Sequence, residues 1–290
     1  EFFQGEIDLK ELEIFFKNPC QFLLEKRLSL KLRPSQEHLN QDVEPLWELD
    51  GLTNYQLGQE LVSRIINSED KHFYDLLYAQ GELPQGVPGK IRYQQLWEEA
   101  SSFARQVKEL SLAEEKLASP NIDLNLKSWR LRGSLKNLYQ SHLLYYRFAK
   151  LKAKDIFSAW LEHLILNALP ISSLPQKSIL MGKDKTYHFQ PVLEAQSLLT
   201  EIFNYFDLGL KSPLPFFPQT SYEYASRIWQ GKNRTQALEA AKKEFEGNRF
   251  KLGEGEDQHY QLCFKNQEPL GELFEQVAID LFTPVLEHQN

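Results

Sequence analysis

The stretch NIDLNLKSWRLRGSL, residues 121–135, decides the fold, because apolar and polar residues alternate through most of it. Residues 122–126 and 129–135 form two alternating runs with a short polar joint between them. A period of two is typical of strands with one buried face, and a short polar joint is typical of a hairpin. Residues 143–148 form a third, largely apolar run. We therefore predict three strands joined by consecutive hairpins.

Helices are predicted on both sides of these strands, and a further hairpin is predicted after them. Residues 178–181 and 186–189 flank the turn 182–185 and predict this additional hairpin. Asn18-Pro19 is expected to divide the first helix, with Asn18 as the cap and Pro19 as the first residue of a second helix. Apolar residues that recur every three or four positions predict helices near residues 8–30, 54–66, 73–77, 93–117, 155–168, 193–207, 221–230, 235–246 and 271–282.

The order of these elements predicts an α/β fold in which a central mixed sheet is flanked by helices. Thr53 or Asn54 is expected to cap the helix that follows an irregular stretch, residues 31–50, and residues 81–89 are expected to form a loop. We predict a mainly helical part at residues 1–118, packed on an α/β core with C-terminal helices at residues 119–290. The two parts are expected to form one continuous domain.

Charge is distributed unevenly along the chain. The formal net charge is −7, yet residues 124–154 contain no Asp or Glu. This basic strip holds eight basic residues, namely Lys127, Arg130, Arg132, Lys136, Arg147, Lys150, Lys152 and Lys154. A basic strip attracts a phosphate backbone, but alternating basic residues are equally typical of a strand with one solvated face. On the first interpretation, the candidate DNA-binding residues are Lys136, Arg147, Lys150, Lys152 and Lys154.

The sequence contains no recognisable motif for a metal or a catalytic nucleophile. No two of the seven histidines lie within five positions of each other. The glycine spacing of residues 81–86 is followed by Val87, where a phosphate-binding loop needs lysine. The acidic residues 253–257 lack the spacing of a calcium loop and are expected to form a solvated turn. No catalytic residue, metal ligand or cofactor is predicted.

Composition also predicts the cellular compartment of the protein. Cys20 and Cys263 are the only cysteines in 290 residues, which predicts a cytoplasmic protein whose two thiols are buried and reduced, although pairing stays open. No apolar run approaches the length of a membrane span. The chain begins at Glu1 without an initiator Met, so we expect a fragment of a longer protein.

The order of helices and strands resembles the PD-(D/E)XK nuclease core. Members of that family carry a metal-binding Asp after a Gly-x-apolar step on the second strand, and an acid, any residue and Lys on the third. Here Lys136 follows Gly133-Ser134-Leu135, and residues 143–148 contain no acid. The resemblance therefore implies a restriction-endonuclease-like core that has lost the carboxylates needed to activate water at phosphate.

More specific segments resemble the C-terminal part of the RecC family, the gamma chains of the RecBCD helicase–nuclease, exodeoxyribonuclease V. They occur in the same order along the chain: FFKNPCQF at 15–22, LDGLTNYQ at 49–56, GELPQGVPG at 81–89, WLEHL at 160–164 and KLGEGED at 251–257. The resemblance implies a domain that is not an enzyme by itself but belongs to an ATP-dependent exodeoxyribonuclease complex. It would scaffold the beta (RecB) and alpha (RecD) chains and guide DNA strands from a duplex end during repair of double-strand breaks and recombination.

Two alternatives stay open. One is an active Mg²⁺-dependent nuclease whose carboxylates have migrated, with Asp123, Asp155 and Asp184 as the candidates. The other is a protein–protein module that makes no contact with DNA.

Overall fold

A computed structural model describes residues 5–32, 51–111, 114–249 and 251–289. The helices are α1 (Leu9–Lys17), α2 (Pro19–Gln21), a π-helical turn (Phe22–Arg27), α3 (Gly51–Asn67), α4 (Phe73–Gln80), α5 (Val87–Ser111), α6 (Ala153–Ala168), α7 (Ala195–Gly209), α8 (Pro218–Trp229), α9 (Arg234–Glu246), a 3-10 turn (Glu254–Glu256), α10 (Gln258–Cys263) and α11 (Glu272–His288). The strands are β1 (Gly5–Asp8), β2 (Asn121–Leu126), β3 (Trp129–Ser134), β4 (His142–Tyr146), β5 (Lys177–Met181), β6 (Thr186–Phe189), β7 (Gly247–Asn248) and β8 (Lys251–Leu252).

Two small mixed sheets stand where one central mixed sheet was predicted, so the α/β class is confirmed in this coarser form. The first sheet has the order β1-β3-β2, with β1 parallel and β2 antiparallel to β3. The second has the order β4-β5-β6, with β4 parallel and β6 antiparallel to β5. Two of the three predicted hairpins, β2–β3 and β5–β6, are confirmed.

The prediction that β4 continues from β3 through another hairpin is wrong. Strand β4 pairs with β5 in parallel, and α6 makes the crossover between them, as a parallel pair requires. The consecutive residues His142, Leu143 and Leu144 of β4 are all buried in the structure. A strand buried on both faces is typical of parallel pairing.

Helix boundaries differ from the predicted ones in several places. Thr53 and Asn54, predicted as caps, lie inside α3, which is described from Gly51, and α5 runs from Val87 to Ser111 instead of over 93–117. Asn18 does cap α2, where its side-chain oxygen accepts a hydrogen bond from the backbone N–H of Gln21. The irregular stretch expected at 31–50 lies, from residue 33 onward, outside the described residues.

Three clusters of buried side chains hold the structure together. The largest surrounds α6 and contains Trp160 together with Leu12 and Phe15 of α1. The second lies between α3, α5 and the second sheet, and the third joins α8, α9, α10 and α11. Helix α1 therefore shares its core with residues beyond 119, while the division at residue 118 stays a prediction. Within the described ranges, no helix has both the length and the hydrophobicity needed to cross a bilayer.

Candidate nucleic-acid interface

Residues 147–154, here called the basic loop, connect β4 to the N-terminus of α6 and contain four of the predicted DNA-binding residues. The turn between β5 and β6 fixes the backbone of this loop. The N–H of Arg147 donates to the carbonyl of Met181, and the N–H of Lys183 donates to the carbonyl of Ala149, both at 2.9 Å. The N–H of Leu151 donates to the Asp184 carboxylate, also at 2.9 Å. The loop is therefore built into the second sheet at several points.

Glycine at position 182 allows the turn to approach the loop this closely. A Cβ atom there would lie 2.4 Å from Cγ of Leu151 and 3.0 Å from the carbonyl oxygen of Ala149. Such a distance is far inside van der Waals contact, so a larger residue would push the turn and the loop apart.

Arg147 is held by partners inside the protein. Its guanidinium forms an ion pair with Asp155, whose side chain is 1% exposed, and it stacks 4.7 Å from the ring centroid of Tyr55 in α3. The other oxygen of Asp155 accepts a hydrogen bond from the N–H of Lys152 at 3.0 Å and so caps the first turn of α6. Only 25% of the Arg147 side chain is exposed. Its main role is therefore to hold the basic loop in position, and little of its charge faces solvent.

Lys150, Lys152 and Lys154 form a lysine group in the residues that lead into the N-terminus of α6. Lys150 and Lys152 are exposed, whereas Lys154 is partly buried. Burial lowers the pKa of Lys154, and the nearby charges of Lys152, Arg147 and Lys17 lower it further, against the opposing effect of Asp155. The positive end of the α6 dipole adds to the same field. Lys17 at the end of α1 was not predicted as part of this group, because only the tertiary fold brings it there.

A cleft of about 380 Å³ opens beside this lysine group. Lys152 and Lys154 line one side, and Gln219 at the N-terminus of α8 and Lys251 of β8 line the other. The cleft also contains Glu254, whose carboxylate accepts hydrogen bonds from the N–H groups of the first turn of α8 at 3.0 and 2.7 Å. The prediction of a solvated turn is thus wrong for Glu254. Burial raises the pKa of Glu254, although the hydrogen bonds from these N–H groups oppose the shift.

Lys136 lies apart from the basic loop, just beyond the end of β3. Its side chain is exposed, and its charge acts on a pair of carboxyl groups, Glu13 of α1 and Glu162 of α6, that hydrogen-bond to each other. Burial and the neighbouring Glu13 raise the pKa of Glu162 to about 8, while Lys136 and Lys17 oppose the shift. Sequence analysis missed this pair, although an acid between two buried residues of α6 was a signal.

Two of the remaining basic residues of the strip, Arg130 and Arg132, are neutralised by carboxylates on the first sheet. Arg130 forms two hydrogen bonds of 2.6 Å with Asp123, and Arg132 forms an ion pair with Glu6 at 2.8 Å. Lys127 donates a hydrogen bond to Asn204. The two arginines of the alternating half therefore lie paired on the solvated face of a sheet, whereas the basic loop carries the exposed Lys150 and Lys152.

The three acids considered as migrated metal ligands do not meet. Asp123 lies on the first sheet with Arg130, Asp155 is buried against Arg147, and Asp184 binds the backbone of the basic loop. Among the residues that the structure describes, no three His, Cys, Asp or Glu side chains form a group suited to a metal ion.

Comparison with known proteins agrees with the predicted resemblance. Relatives described as RecBCD enzyme subunit RecC are 25% identical in Escherichia coli (strain K12) and 24% identical in Buchnera aphidicola subsp. Schizaphis graminum, over 91% and 98% of this chain. The one from Haemophilus influenzae is 27% identical over 64% of this chain and 17% of its own length. The chain spans 24% and 27% of the first two relatives, about a quarter of each. The model of the RecC C-terminal domain matches residues 4–229, and the chain therefore belongs to the RecC C-terminal domain family.

Proposed function

We propose that this chain is the non-catalytic, nuclease-like part of a RecC-type subunit, and that its basic loop guides DNA strands through a RecBCD-type complex. The observation that carries the proposal is the fixed lysine group at the N-terminus of α6. Lys150 and Lys152 are exposed there, and the one acid of that turn, Asp155, is buried against Arg147. Ammonium groups on a backbone that does not have to rearrange can hold phosphates without reading base sequence.

The proposed lack of catalysis is supported by the residues at the two strand positions where nuclease-like folds carry acids. Lys136 follows β3, and Tyr145, Tyr146 and Arg147 occupy the end of β4 and the residue after it. None of these side chains is a carboxylate, so they offer Mg²⁺ no hard anionic ligand. The resemblance to the PD-(D/E)XK core supports the same proposal.

The family supports the proposed partners. Its relatives are named as subunits of the RecBCD enzyme, and this chain spans about a quarter of them. We propose that the domain packs against RecB-type and RecD-type subunits, which supply the motor and nuclease activities, and that the complex works on duplex ends in the cytoplasm.

Neutralising the lysine group is expected to weaken DNA binding by the assembled complex about tenfold at low salt, a change of about 1.4 kcal/mol. The change is the triple substitution Lys150→Gln, Lys152→Gln and Lys154→Gln in the full-length subunit. Each lost phosphate contact also removes about 0.9 from the slope of log affinity against log salt, so the slope should fall by about 2–3. Fluorescence anisotropy with a labelled duplex end, measured over a series of salt concentrations, gives both values.

A matched triple variant separates local contacts from net charge. Lys71, Lys232 and Lys265 are exposed, and Lys71 and Lys232 lie beyond the ends of α3 and α8 that face away from the basic loop. Their replacement by Gln changes the net charge equally and should leave the salt slope unchanged. If both triple variants bind like the unchanged complex, the domain is a protein–protein module without DNA contact.

The rival function, a Mg²⁺-dependent nuclease, is favoured by one observation, the hydrogen-bonded carboxyl pair Glu13 and Glu162 near Lys136. We expect the full-length subunit, purified without its partners, to leave single-stranded DNA intact in the presence of Mg²⁺. Cleavage that follows the protein through purification and disappears in the double variant Glu13→Gln, Glu162→Gln would establish the rival.

A further inference from the structure

The two cysteines of the chain, distant in sequence, meet in the structure. Cys20 lies in α2 and Cys263 ends α10, and these two helices are in direct contact. Their thiols hydrogen-bond to each other inside the third core cluster. Two thiols that pack in one cluster, on helices that already touch, can form a disulfide once their sulfur atoms reach bonding distance.

The two thiols differ in access to solvent. Cys20 is fully buried, whereas Cys263 is partly exposed and lines an open cleft of about 600 Å³. The walls of this cleft are mostly apolar, from Leu23, Leu28 and Leu262, with Arg27 and Lys211 at its edge. A small uncharged molecule can therefore reach Cys263 but not Cys20.

The hydrogen bond makes the two thiols chemically unequal. It lowers the pKa of Cys263, although burial and the charge of Asp257 oppose the shift. The same hydrogen bond, with burial, raises the pKa of Cys20 far above its usual range. The lowered pKa and the greater exposure both make Cys263 the more reactive thiol of the two. An accessible thiol of lowered pKa beside a second thiol is the arrangement of a redox-sensitive cysteine pair.

We propose that Cys263 and Cys20 form a peroxide-responsive pair, in which Cys263 reacts first and Cys20 resolves the product as a disulfide. In the first step Cys263 loses its proton, and its thiolate attacks a peroxide oxygen. The O–O bond breaks, which gives a sulfenic acid and a hydroxide that takes up that proton to become water. In the second step the Cys20 sulfur displaces the sulfenic hydroxyl, which leaves as water with the Cys20 proton. The two sulfurs lose two electrons and hydrogen peroxide gains them, so two thiols and one peroxide give one disulfide and two waters.

The disulfide would clamp two distant parts of the chain together. Cys20 packs in the same cluster as Phe217, Tyr224 and Phe274 of the C-terminal layer. A covalent link between α2 and α10 closes a loop that contains strands β2 to β8 and helices α3 to α9. Cross-links that close long loops restrict the unfolded chain most, so the oxidised protein should unfold at a higher temperature.

The test uses the assembled complex treated with hydrogen peroxide, then denatured, alkylated with N-ethylmaleimide and digested for mass spectrometry. We expect Cys20 and Cys263 to lose alkylation together, a peptide pair joined through them to appear, and dithiothreitol to reverse both changes. In the variants Cys20→Ser and Cys20→Ala, dimedone should capture a sulfenic acid at Cys263. In Cys263→Ser, Cys20 should stay fully alkylatable.

Three results would overturn the proposal. In the unchanged protein, both cysteines could remain alkylatable after peroxide, or Cys263 could be oxidised while Cys20 stays free. In Cys263→Ser, Cys20 could react with peroxide as fast as an exposed thiol. Because two different residues replace Cys20, a folding defect in one variant does not remove the test.

Discussion

Replacing Asp155 with alanine is expected to cost the fold about 3–5 kcal/mol, the range for breaking one partner out of a buried ion pair. The Asp155 side chain is 1% exposed and binds both the guanidinium of Arg147 and the N–H of Lys152. Loss of the Asp155 carboxylate leaves the guanidinium of Arg147 without its ion-pair partner in a partly buried site beside Tyr55. It also removes the cap of α6. Urea unfolding of the purified chain, followed by circular dichroism, measures the change in the free energy of unfolding.

Two comparisons identify the cause of that loss. Asp123→Ala removes a carboxylate that also pairs with an arginine, but on the exposed face of the first sheet, and should leave the unfolding midpoint nearly unchanged. The double variant Asp155→Leu, Arg147→Met removes both charges together and should be much more stable than Asp155→Ala alone. If Asp155→Ala unfolds like Asp123→Ala, the ion pair does not hold the basic loop in place.

Local patterns along the chain predict the elements of this fold better than their pairing. The alternation in β2 and β3 and the polar turn of β5–β6 predict two hairpins, because each hairpin is a contact between sequence neighbours. The partner of β4 lies beyond a whole helix, and no local pattern specifies it. Strand β1 was missed for the same reason, since its four residues are strand only through parallel pairing with β3.

The candidate site was likewise predicted only in part from local sequence patterns. The charge of Lys150, Lys152 and Lys154 is a property of the sequence, and so is the lack of acids around them. The ion pair between Arg147 and Asp155 could have been predicted, because Asp155 lies eight residues after Arg147, at the start of the next helix. Sequence patterns do not encode packing between elements far apart in the chain. The proximity of Lys17 to Lys154, of Glu13 to Glu162 and of Cys20 to Cys263 depends on such packing.

The carboxyl pair Glu13 and Glu162 is expected to make the protein less stable as the pH rises from about 4.5 to 8. In the folded protein the pKa of Glu162 is raised to about 8, chiefly by burial and then by Glu13, whereas the unfolded carboxyl titrates near 4.5. Below about pH 4.5 both states hold the proton, and the contribution of the pair to stability is complete. Between pH 4.5 and 8, Glu162 keeps its proton in the folded state but loses it in the unfolded state. The free energy of unfolding therefore falls by up to about 1.4 kcal/mol per pH unit.

Glu162→Gln is therefore expected to raise the free energy of unfolding at pH 8 by about 2–4 kcal/mol relative to the unchanged chain, with little change at pH 4.5. Glutamine keeps the shape and the hydrogen bond to Glu13 but carries no charge, so it mimics the protonated acid at every pH. Urea unfolding at a series of pH values gives the slope, and Glu109→Gln, on the exposed face of α5, is the control that should follow the unchanged protein. A Glu162→Gln curve parallel to the unchanged one from pH 5 to 8 would mean that Lys17 and Lys136 already stabilise the ionised pair in the folded state.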